Sequence, residues 1–216
     1  MRIGRIGTLQ PLSNIFGYDR GTPVDRIYIE DFLARHADDI HGRVLEVGDD
    51  GYSRMFGGDR ITRQDILNID PKAPRVTIVG DLADSSTLPE NTFDCIILTQ
   101  TLQLVFDLGS AMTNIRRSLR PGGVLLLTVP AIGPLCADQW QDSFYWSFTE
   151  NSVARLLREY FNPVETTILT YGNLYASTAF LHGAAVEELS RSKLQRVDPG
   201  YAITIAARAV APEAKS

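Results

Sequence analysis

The stretch that most constrains this 216-residue chain is Val124-Leu-Leu-Leu-Thr-Val129. It is apolar at nearly every position instead of every second one, so as a strand it needs cover on both faces. Burial of that kind belongs to a parallel sheet flanked by helices. The rest of the chain supplies the alternation. Strands are expected at Arg43 to Gly48, Ile61 to Leu67, Arg75 to Gly80, Phe93 to Thr99, Val164 to Leu169 and Ala202 to Ala207. Between them, Thr22-Pro23 reads as a helix start, and Val24, Ile27, Tyr28 and Phe32 recur at helical spacing to about His36. Leu108, Ala111, Met112, Ile115 and Leu119 share one helical face, stopped by Arg120-Pro-Gly-Gly123. Thr149 caps a helix with Val153, Leu156, Leu157 and Tyr160 on its apolar side, and Leu174 to Leu189 reads as one more. In open sheets of this type ligands bind at the carboxyl ends of the strands.

Composition narrows the class. The chain is 44% hydrophobic and 22% charged, as in ordinary globular domains. Its length buries a core without needing disulfides or a structural metal. The formal charge of −5 argues against a nucleic-acid partner. The two cysteines, Cys95 and Cys136, make neither a disulfide framework nor a zinc set. The first residues lack the apolar core of a signal peptide, and no run approaches a membrane span. The expectation is a soluble cytoplasmic protein without membrane or metal, a monomer or homodimer. Residues 1–41 form an arm and helix of the same domain. Residues 42–210 form the core, with an aromatic segment at 131–149 and an inserted helix at 174–189, and 211–216 form a tail.

The polar residues at the strand ends carry the chemistry. In Val44-Leu-Glu-Val-Gly-Asp-Asp-Gly51 an apolar strand ends in Glu46 and Gly48. Glycine lets a backbone approach a ligand closely, and Glu46 can accept from a cationic amino group. An acid about 20 residues beyond such a glycine holds ribose hydroxyls in dinucleotide folds. Asp65 and Asp70, 17 and 22 positions after Gly48, both fit. Asp65 is preferred because it directly follows Arg63-Gln64 near the expected strand end. Val79-Gly80-Asp81-Leu82 can present a carboxylate and a backbone N–H to an adenine edge. Its bland alternative is an Asx turn. Phe93 to Gln103 is a strand that opens into the polar turn Thr99-Gln100.

Together the runs LEVGDDG, VGDLADSSTLPENTFDCIILTQTL and SLRPGGVLLLTVP resemble a class I S-adenosylmethionine-dependent methyltransferase, nearest to the small-molecule enzymes of the type 11 kind. The resemblance covers most of residues 43–130. It implies a Rossmann-like α/β sheet of seven strands ordered 3-2-1-4-5-7-6, six parallel and one antiparallel, with helices on both faces. It also implies S-adenosylmethionine as cofactor. Glu46 and Gly48 would flank the methionine moiety, Asp49 would also bind the cofactor, Asp65 would hold the ribose, Asp81 and Leu82 the adenine, and Thr99 and Gln100 would line the cofactor. Two departures stand out. Asp50 and Tyr52 occupy the second and third glycine places of the family's loop. Leu102-Gln103-Leu104 offers no basic residue where the family often has histidine.

Methyl transfer from a sulfonium needs mainly positioning, with a base where the nucleophile is a hydroxyl. His182, in the late insertion, is a candidate base, its alternative being a structural histidine. Tyr145 and Asp142, in the segment running from Asp138 and Trp140 to Trp146 and Phe148, are candidates to face the acceptor. Arg20 or Arg26 can pair with the cofactor carboxylate or an acidic acceptor, or else serve surface ion pairs. The expected function is O- or N-methylation of a small molecule, such as a sugar or secondary metabolite. The alternatives are a catalytically silent binding or partner subunit, suggested by the altered glycine loop, and a nicotinamide oxidoreductase, disfavoured by the absence of G-x-G-x-x-G.

Overall fold

A computed structural model describes residues 9–135 and 141–213. Seven strands form one sheet: β1 (Gly42–Val47), β2 (Ile61–Asn68), β3 (Ile78–Val79), β4 (Phe93–Thr99), β5 (Leu119–Pro130), β6 (Thr166–Tyr171) and β7 (Thr204–Val210). Their order is β3-β2-β1-β4-β5-β7-β6, and β7 alone runs antiparallel to its neighbours. This is the topology the sequence implied.

The apolar runs feed two cores at once. Along β5, Leu125, Leu127 and Val129 pack on one face, with Met112 and Ile115 of α2 (Leu108–Ser118) and Val153 and Leu157 of α3 (Glu150–Arg158). Val124 and Leu126 point the other way, toward Ile29, Phe32 and Leu33 of α1 (Val24–Arg35) and Phe180 of α4 (Leu174–Leu181). The same alternation divides β4, with Ile96 and Leu98 on the first face and Cys95 and Ile97 on the second. Period-2 geometry thus turns a uniformly apolar sequence into the middle layer of three.

Local chemistry moved several expected boundaries. The third strand shrinks to two residues: at Thr77 the backbone N–H donates to Ile66 O at 3.0 Å, but Ile66 N–H donates to the Thr77 hydroxyl at 2.8 Å and so makes no ladder bond there. The sixth begins at Thr166, because Asn162 accepts from Val164 N–H and caps a short turn with Pro163 at its start. Residues 174–189 are not one helix. α4 ends before Gly183, whose φ of 67° a helix cannot continue, and Ala184 N–H closes back on Ala179 O at 3.0 Å. Short turns and α5 (Arg191–Leu194) follow. Thr22 does not cap α1; its hydroxyl donates to Glu187 at 2.8 Å. The Gly/Asp turn after β1 contains a wide helical turn over Ser53–Gly57.

The arm is fastened to this late insertion. Leu12 N–H donates to His182 O at 2.7 Å, and the Arg20 guanidinium pairs with Glu188. Residues 1–8 and 214–216 of the expected arm and tail, and Cys136, lie outside the described residues.

Ile97 is fully buried at the centre of the sheet. Ile97→Ala is expected to lower unfolding stability by about 2–5 kcal/mol in a urea titration, with little change in the slope.

Candidate active site

The carboxyl ends of the parallel strands converge on a cavity of about 780 Å³. Gly48 follows β1, Asn68 ends β2, Asp81 and Leu82 follow β3, Thr99 ends β4 with Gln100 just beyond, and Pro130 ends β5; all line it. Glu46, Asp49 and Arg26 line it too. Of the ten residues expected to hold a cofactor, eight therefore meet at one place.

Gly48 has a φ of 101°, a conformation that L side chains rarely adopt, and a Cβ there would meet no protein atom within 4 Å. The space beside the loop is thus open. Gln100 also takes a left-handed φ, 46°, held by its N–H donating to Thr128 O at 2.9 Å. Non-glycine residues in that region cluster at functional sites.

Glu46 does not await a ligand. It is 2% exposed, and its two oxygens accept from Tyr52 N–H at 3.1 Å and Ser53 N–H at 2.8 Å, capping the helical turn after β1. Burial pushes its carboxyl up to about 7, against the pull of those hydrogen bonds. The two residues at the missing glycine places behave differently. Asp50 turns away to Arg75 and Arg54, so it does not narrow the cavity. Tyr52 does line it, with its hydroxyl accepting from Arg26 Nη1 at 3.1 Å.

Other expectations are corrected. Asp65 lies inside β2, three residues short of its end, and is 2% exposed. Its carboxylate accepts from Arg43 Nε at 2.6 Å, and it does not line the cavity. Arg20, tied to Glu188, does not line it either. His182 caps α4 with a half-buried side chain that does not line the cavity; Phe180 from the same helix lines it instead. Tyr145 is 48% exposed, edge-on to Phe106, and Asp142 is exposed on a short turn; neither lines the cavity, whereas Phe144 does. Asp138 and Trp140 lie outside the described residues.

The cavity also holds residues for which the sequence suggested no binding role. Gln103 is buried, donates from Nε2 to Gln100 O at 2.8 Å, and leaves Oε1 without a partner. Gln100 Nε2 is likewise buried and unpartnered. Asn68 faces the cavity and donates to Gly48 O at 3.0 Å. Asp25, from the first turn of α1, is buried with Oδ1 unpartnered. An acid in a first helical turn ordinarily reads as a favourable helix-dipole residue, so the sequence held no signal for its burial. Among the described residues there is no metal-ligating cluster and no helix long and apolar enough to cross a membrane.

The raised Glu46 carboxyl has a definite sign. It binds its proton more tightly folded than unfolded, so its contribution to stability is greatest below the ordinary glutamate value and falls as pH rises toward 7. Glu46→Gln should therefore gain on the wild type by roughly 1–3 kcal/mol between pH 5 and 8 in paired denaturant titrations. Parallel pH profiles would show that Glu46 titrates normally.

Comparison with known proteins agrees with this geometry. A family model described as a methyltransferase domain matches residues 52–127. The ubiquinone/menaquinone biosynthesis C-methyltransferase UbiE of Pasteurella multocida is 34% identical over 79 residues, 35% of this chain and 29% of that enzyme. The chain thus aligns with under a third of that enzyme's length. Among solved structures, the N-methyltransferase NodS of Bradyrhizobium japonicum in complex with S-adenosyl-L-homocysteine has a TM-score of 0.56 at 17% identity, over 89% of each chain. The [4+2]-cyclase SpnF has a TM-score of 0.58 at 17% identity, over 90% of this chain and 85% of its own. One fold therefore serves proteins with differently named reactions. Strand order and overall likeness give this chain the fold of its solved methyltransferase neighbours, and residues 52–127 match a methyltransferase domain model.

Proposed function

We propose that the cavity binds S-adenosylmethionine and that the protein transfers the methyl group to a small-molecule acceptor. The observation that carries this reading is the meeting of Gly48, Asp81–Leu82 and Thr99–Gln100 at one cavity, with open space where a Gly48 Cβ would stand. A sulfonium donor with adenine, ribose and amino-acid parts calls for these elements: a bare backbone, an acid beside a backbone N–H, and polar groups at the ends of adjacent strands. Asp81 and Leu82 take the adenine edge. With Asp65 bound to Arg43, the ribose falls to the end of β2, where Asn68 lines the cavity.

When bound, the cofactor supplies an electrophilic methyl group. The protein's own part is positioning and exclusion of water. Leu104, Val105, Phe144 and Phe180 give the cavity an apolar wall suited to an acceptor with an apolar body. Gln103 Oε1, buried and unpartnered, accepts a hydrogen bond from the acceptor's hydroxyl or amine and so orients its lone pair. That points to oxygen or nitrogen as the atom methylated. The C-methyltransferase relative makes carbon the competing choice.

Calorimetry should show S-adenosylmethionine and its demethylated product binding, and NAD not binding. A chain that binds neither sulfur ligand is no methyltransferase. Binding without turnover across a panel of hydroxyl, amine and activated-carbon acceptors would favour the silent subunit. In the same assay Asn68→Ala should weaken the product about tenfold. Asp65→Ala should change affinity less than about twofold while lowering stability by about 1–3 kcal/mol, through the partly buried Arg43 it leaves unpaired.

A further inference from the structure

Each acid near the amino-acid end of the cavity can be tested as a partner for a ligand ammonium. Glu46 holds two backbone N–H groups. Asp50 holds Arg75 and Arg54. Asp49 is exposed, and its Oδ1 accepts from Gly51 N–H at 2.8 Å. Asp25 is different: it is 8% exposed, lines the cavity, and its Oδ1 accepts from no described residue. No lysine, arginine or histidine among the described residues stands within ion-pair distance of it. Burial raises its carboxyl above the ordinary aspartate range. Arg26 and the backbone N–H groups of Asp25 and Arg26 pull the other way, yet Oδ1 itself stays without a donor, and a buried oxygen left so is costly unless a ligand supplies one.

The next residue is its complement. Arg26 also lines the cavity. Its Nε donates to the Tyr18 hydroxyl at 3.0 Å and its Nη1 to the Tyr52 hydroxyl at 3.1 Å, while the guanidinium carbon lies 5.8 Å from the Tyr18 ring centroid. These contacts fix the guanidinium plane and leave Nη2 without a hydrogen bond among the described residues. An anchored cation with one free edge and an unpartnered carboxylate oxygen therefore sit side by side on the first turn of α1. A ligand of a single charge would satisfy one and oppose the other. A zwitterion satisfies both.

We infer that Asp25 and Arg26 form a clamp for an α-amino-acid zwitterion, Asp25 Oδ1 taking the ammonium and Arg26 Nη2 the carboxylate. The inference rests on the proposed cofactor, whose methionine end is such a group, and it moves the ammonium from Glu46, where the sequence suggested it, to Asp25. Tyr52 acquires a purpose at the missing glycine place: it positions the guanidinium.

The test compares two probes on the intact protein, S-adenosylhomocysteine and 5′-methylthioadenosine, which has the same nucleoside and thioether but no amino-acid group. Asp25→Asn should weaken S-adenosylhomocysteine at least about tenfold and leave methylthioadenosine within about twofold. Equal losses for both probes, or unchanged affinity for both, would overturn the clamp. So would unchanged S-adenosylhomocysteine affinity with lost turnover, because Asp25 would then act on the acceptor. If Asp25→Asn does not fold, the wild type must itself bind the α-deaminated analogue of S-adenosylhomocysteine at least about tenfold more weakly; equal binding overturns the clamp. A wild type that binds neither probe sinks the cofactor reading itself.

Discussion

Two-sided burial of the central strands is the constraint from which the rest of this structure follows. β4 and β5 carry apolar residues at successive positions, so neither face of the sheet can meet water. Helices must cover both, and the connections that bring them there leave the strand ends as the place where polar chain can gather. Gly48, Asp81, Thr99 and Gln100 are far apart in sequence, and they meet because each follows a parallel strand of the same sheet.

The loop after β1 shows how such a site tolerates residues bulkier than glycine. Glu46 reaches past the turn to hold the N–H groups of Tyr52 and Ser53. That capping fixes where the loop goes. Asp50 then turns outward to two arginines, and Tyr52 turns inward to join Arg26. One glycine place is filled without narrowing the cavity, and the other becomes part of its wall. The carboxyl that the sequence suggested for a ligand is a structural cap, and the work left to do falls on α1.

The two-sided sheet is legible because burial is written in runs such as FDCIIL and VLLLTV, whereas the strand order was implied by the family resemblance. The strand-end residues were legible for the same reason, since an apolar run that stops at a glycine or acid marks its own end. The failures share a cause. Asp65 was chosen on a strand boundary, and β2 runs on to Asn68, which puts Asp65 mid-strand beside Arg43. His182, Tyr145 and Asp142 have suitable chemistry, but none of the three lines the cavity. Asp25 and Gln103 carried no pattern; their importance lies in an oxygen that nothing else in the fold satisfies.

A crystal structure of the protein with S-adenosylhomocysteine tests the central claim most directly. The account predicts adenine beside Asp81 and Leu82, the thioether near Gly48 and Gln100, and the amino-acid end against the first turn of α1. Product seated elsewhere, or an empty cavity at saturating ligand, would contradict it.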